Sequence, residues 1–200
     1  MDFTFGRTAS IIAILLLVAA ATQSIYTALS ASGAEVPRQI LWGFEAFLFV
    51  IMAAFAGSAL AQAKRLHLGW SAITSAAVLN VVQVGVGLTL FGPFFEAAGN
   101  AETLLPAATG IVAFSFMVYN AAKVLLALAL IVFGGARLAD GAKVLGWVSV
   151  IVGIVAMAAN TASMAFGRDV TGELPLAGAT GVLATVLLAV CLLTLKEKAD

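Results

Sequence analysis

Two side chains in this sequence stand out because their surroundings make them costly: an acid, Glu45, and an amine, Lys123, each set within a long run of apolar residues. An ionised group near the centre of a lipid bilayer costs about 2.5–3.5 kcal/mol even on a lenient insertion scale, so its retention calls for a partner or a wet cavity. The two are natural partners for each other. Their pairing has two readings: a buried ion pair that fixes helix packing, or an ion, proton or polar-solute site in which the ligand takes the place of one partner. Buried pairs are weak evidence of net stability, because desolvation can exceed attraction.

Polar groups at helical spacing surround both charges. Trp42 and Asn120 each lie three residues before Glu45 and Lys123, and Tyr119 lies four before Lys123, which puts them on the same helix faces one turn away. Asn80 and Gln83 give another apolar segment a stripe of two amides, and Asn160 gives a later one its own. Glu45, Lys123, Trp42, Asn80, Gln83, Tyr119, Asn120 and Asn160 are therefore the expected substrate- or ion-binding residues. For a single amide the simpler role is to join helices, worth about 0.6 kcal/mol on average in membranes.

The elements that must carry these groups follow from composition. Of the 200 residues, 62% are hydrophobic and 10% charged, against roughly 25% charged in a soluble domain. The apolar residues fall in blocks near the ~20 residues needed to cross a bilayer. They predict six spans, over about residues 8–28, 39–63, 68–91, 109–133, 145–166 and 176–195. Barrel strands are shorter and alternate in polarity, so the expected fold is an all-α integral membrane protein, one transmembrane domain built as a six-transmembrane-helix bundle. Arg7, the apolar run after it and Ala19-Ala20-Ala21 resemble a secretory signal with a small-residue cleavage site. An uncleaved first helix is expected.

Lys and Arg near the span ends set orientation. One side carries Arg7, Lys64, Arg65, Arg137, Lys143, Lys196 and Lys198; the other has Arg38 and Arg168 beside Glu35, Glu96, Glu102, Asp169 and Glu173. The basic side is expected in the cytoplasm, with both termini, in a cell or inner membrane. The outer connection 92–108 is long and holds Pro93-Phe94-Phe95-Glu96, which suggests a short interfacial helix, or a lid over an outward-facing cavity. Small residues four apart, as at Ala9 and Ala13 or Ala53, Gly57 and Ala61, permit close helix approach.

An internal resemblance suggests a tandem helical-hairpin repeat. The stretch from Phe55 to Lys64, leading to Gly69-Trp70, resembles that from Phe133 to Lys143, leading to Gly146-Trp147. Aligned this way, Glu45 falls opposite Lys123 and Gln83 opposite Asn160.

Some chemistry lacks tools. The chain has one cysteine, Cys191, and one histidine, His67, too few for a zinc or haem site between them. Paired carboxylates, a Ser–His or Cys–His arrangement and a phosphate-cradling loop are not visible, so no cofactor, no metal and no enzymatic activity are expected. A lipid-acting enzyme would have to use Glu45 or Lys123 as acid or base. Zero net charge gives no reason to expect nucleic acid. The expected function is binding or transport of a small solute or ion at a mid-membrane polar site. The alternative is a non-catalytic subunit or assembly factor, with partner membrane subunits or a second copy as its contacts.

Overall fold

The structure, a computed structural model, describes residues 4–34, 36–167 and 176–195. They form six helices: α1 (Phe5–Ala31), α2 (Arg38–Gln62), α3 (His67–Asn100), α4 (Leu105–Ala139), α5 (Lys143–Phe166) and α6 (Leu176–Leu193). Each is long and apolar enough to cross a membrane, and no strand occurs among the described residues. Glu35, Arg168, Asp169, Glu173, Lys196 and Lys198, all used in the charge count, lie outside the described residues.

Local chemistry accounts for the helix ends. Thr4 accepts a bond from the Arg7 amide at the start of α1. Pro37 precedes α2, and Pro106 takes the second position of α4, where a missing N–H is harmless. Gly141 turns the chain between α4 and α5 at a φ of 87°.

Consecutive helices pack side by side, and α6 returns to pack on α1, closing a ring; α4 also meets α6 across it. The α4–α5 seam is close. A Cβ added at Gly146 would lie 2.8 Å from the Leu138 backbone nitrogen, and one at Gly153 would lie 3.1 Å from the Ala127 carbonyl oxygen. Ala9 and Ala13 are buried as helix-contact residues, whereas Gly57 faces open space. Large apolar side chains such as Phe47, Val144, Ile151 and Phe166 point outward. An apolar exterior of this extent suits lipid better than water.

The end of the bundle that carries Arg7, Lys64, Arg65, Arg137 and Lys143 is the basic end; an aromatic cluster fills its centre, and a smaller cavity of about 270 Å³ lies at its edge between α1 and α6. Trp70 stacks edge-on against Phe133 at 4.9 Å and against Phe5 at 5.5 Å, above a core that includes Ile12, Leu16, Met52, Ile73 and Leu130. The two tryptophans that anchor the internal resemblance have different surroundings: Trp70 is fully buried and Trp147 is 57% exposed.

At the opposite end the helices do not stop where hydropathy suggested. No separate interfacial helix forms in 92–108: α3 runs on to Asn100 through Pro93, and only Ala101 and a 3-10 turn over Glu102–Leu104 separate it from α4. Proline removes one rung of the hydrogen-bond ladder. The good helix formers Glu96, Ala97 and Ala98 that follow, packed in the α3–α4 hairpin, carry the helix past it.

Candidate functional site

Helix α2 places three chemically unlike side chains on one face: Arg38, Trp42 and Glu45, at i, i+4 and i+7. All three line a cavity of about 520 Å³ that opens at the end opposite the basic one. Arg38 is exposed at the mouth, Trp42 forms the wall and Glu45, 5% exposed, lies deepest of the three. Gln23 and Tyr26 of α1, Gln83, Phe91 and Phe95 of α3, and Ser115, Phe116, Tyr119 and Asn120 of α4 complete much of the lining.

Glu45 is held by α1. The Thr22 hydroxyl donates to its Oε1 at 2.6 Å, and Oε2 accepts no bond from a described residue. Lys123, 1% exposed, is held by the next residue along: its Nζ donates to Gln23 Oε1 at 2.7 Å, with Thr185 Oγ1 of α6 at 3.5 Å. Its ammonium also lies 5.2 Å from the centre of the Tyr119 ring. The stem crosses Gly181 of α6, where an added Cβ would sit 3.1 Å from the lysine Cδ, so a larger residue there would crowd the side chain.

Acid and amine therefore interact electrostatically but do not close to a contact ion pair. The adjacent residues Thr22 and Gln23 stand between them, one serving each charge. Direct pairing, the simplest sequence expectation, gives way to a four-residue chain across α2, α1 and α4. Each charge gains a hydrogen bond to a neutral group, and charge-assisted bonds of this kind are worth more than neutral ones.

Of the residues expected at the site, Glu45, Trp42, Gln83, Tyr119 and Asn120 line the cavity. Lys123 lies behind Gln23 and Tyr119 and does not line it. Asn80 and Asn160 do not line it either: each donates its amide to the carbonyl four residues back, Ala76 at 2.9 Å and Ala156 at 2.8 Å. The Oδ1 atoms of both asparagines are buried without a partner among the described residues. Gln83 and Ser115 tie α3 to α4 across the cavity wall at 3.4 Å. Thr22, Thr185, Ser115 and Arg38 were not anticipated. The signal for the first was the polar pair Thr22-Gln23 in an otherwise apolar stretch of α1.

Trp42 has little room to move. Its indole meets Tyr26 at 5.5 Å and Phe91 at 5.8 Å, with the Arg38 guanidinium 6.0 Å above the ring. On the remaining side it presses on Gly87 of α3, where a Cβ would fall 2.5 Å from Cζ3. Gly87→Ala is accordingly expected to destabilise the protein by about 1–3 kcal/mol through overpacking. Thermal unfolding of the purified variant in detergent checks this, and an unchanged midpoint would show that the indole can shift freely.

Among the described residues no three His, Cys, Asp or Glu side chains come together as a metal site would require. Cys191 is buried and shares a 3.3 Å contact with Ser149, away from the cavity. Comparison with known protein families, curated proteins and solved structures finds no match to this chain.

Proposed function

We propose that this chain is a multi-pass membrane protein that binds a small polar solute in the cavity above Glu45 and passes it across or into the membrane. By the bias of Lys and Arg near span ends, the basic end faces the cytoplasm and the cavity opens outward. The observation that carries the reading is the free carboxylate oxygen of Glu45 deep in an open cavity of about 520 Å³, between helices whose outer faces are apolar. That volume lies in the usual range for small-molecule sites, which are largely apolar with a few placed polar groups. A purely structural charge would be expected to have both oxygens engaged and no route to solvent.

The test is accessibility. Gln83 is half-buried and lines the cavity, and the native Cys191 is buried, so a Gln83→Cys variant carries one reactive thiol. In sealed vesicles of known orientation, a membrane-impermeant thiol reagent is expected to label residue 83 from the face opposite the basic end and not from the basic face. Absence of labelling from either side would remove the solute-site reading and leave a bundle held together by polar contacts.

A further inference from the structure

Resting on that reading of the cavity, we infer that its solute is a small zwitterion with charges at opposite ends of an apolar body, as in an ω-amino acid or a dipeptide, bound with its ammonium end inward. Opposite charges on one face of α2 carry the inference. Arg38 and Glu45 are seven residues apart, roughly 10 Å along the helix axis at 1.5 Å per residue, and both line the same cavity. Neither is neutralised by an ion pair with a described residue: the Arg38 guanidinium has the Trp42 ring as its partner, and Glu45 keeps one oxygen free. The third charge nearby, the Lys123 ammonium, is bound to Gln23 and does not line the cavity.

The complement of this stripe is a molecule that is positive at one end, apolar in the middle and negative at the other. Trp42 lies between the two charges, and Tyr26, Phe91 and Phe116 add further aromatic wall. An ammonium group at the floor would meet Glu45 Oε2 and the faces of aromatic rings, both attractive to cations. A carboxylate at the mouth would meet the planar donor fork of Arg38. A plain organic cation must pass and leave unmatched the positive charge of Arg38, and an anion must approach Glu45; each is disfavoured by one end of the stripe. An α-amino acid, with its charges on adjacent atoms, cannot reach both.

Three probes that share an ethylbenzene body separate these cases: 4-(2-aminoethyl)benzoate, a zwitterion; phenethylamine, a cation; and 4-ethylbenzoate, an anion. The readout is protection of Gln83→Cys from thiol labelling by each probe, in that background and with Arg38→Gln added. The zwitterion is expected to protect at a concentration about tenfold lower than the cation, and the anion to protect least; one charge-assisted bond accounts for a step of that size. Arg38→Gln should erase the advantage of the zwitterion over the cation. If residue 83 labels but the cation protects as well as the zwitterion, or the anion better, or no probe protects, the inference is overturned while the cavity stays open to solutes. If residue 83 does not label at all, the broader solute-site reading fails first.

Discussion

Lys123→Met is expected to lower the stability of the protein by about 3 kcal/mol, the lower part of the range for breaking a buried charge arrangement by removing one member. The substitution keeps the length and apolar stem of the side chain, so little packing is lost. What goes is the donor to Gln23 Oε1 and the positive charge that offsets Glu45. Adding Glu45→Gln to Lys123→Met should restore at least half of the loss, because the double variant leaves no uncompensated charge in the apolar interior. A double-mutant cycle on unfolding in detergent measures the coupling. If the lysine variant is as stable as the parent, or the second substitution restores nothing, the two charges are energetically independent and the four-residue chain across α2, α1 and α4 has no role in holding the bundle.

The double variant also tests the proposed binding role of the carboxylate. With folding largely restored, it is expected to bind the best-protecting probe about a hundredfold more weakly than the parent, a loss of about 2.7 kcal/mol, as for truncating one partner of a desolvated charged contact. Thr22 acts through Glu45: its 2.6 Å bond aims Oε1 at α1 and so turns Oε2 toward the cavity. Thr22→Val should weaken binding about tenfold, and Thr22→Ser, which retains the hydroxyl, should restore it. Calorimetric titration of purified variants reads both. Equal affinity in the double variant would mean that Glu45 does not touch the solute.

The six helices were legible because apolar blocks of membrane-crossing length leave a chain few other options, and the described helices overlap each expected span. The far ends of α3 and α4 were not. Gly92, Pro93 and Gly99 read as a break, yet the helix passes through them because neighbouring residues favour helix and the hairpin packs on itself. For the site, Glu45 and Lys123 were conspicuous since charge in an apolar run is rare, and Trp42, Tyr119 and Asn120 followed by helical spacing.

Which residues stood between the two charges was beyond that spacing. Helix α1 is apolar on nearly every side and so shows no stripe to tell which face turns inward; Thr22 and Gln23 could have pointed to lipid, to α6 or to α2. Asn80 and Asn160 lie off the cavity lining for a related reason. An amide in an apolar helix can donate to its own backbone, and both do; Asn160 also donates to the Ala177 carbonyl of α6 at 3.3 Å, so bonding along and between helices accounts for these amides.

Thr22 and Gln23 are consecutive, about 100° apart around a single rod. The acid of one neighbouring helix and the amine of another are therefore held by adjacent positions of the same rigid part. The two contacts thus share one shaft: whatever fixes the rotation of α1 sets the position of both holders at once.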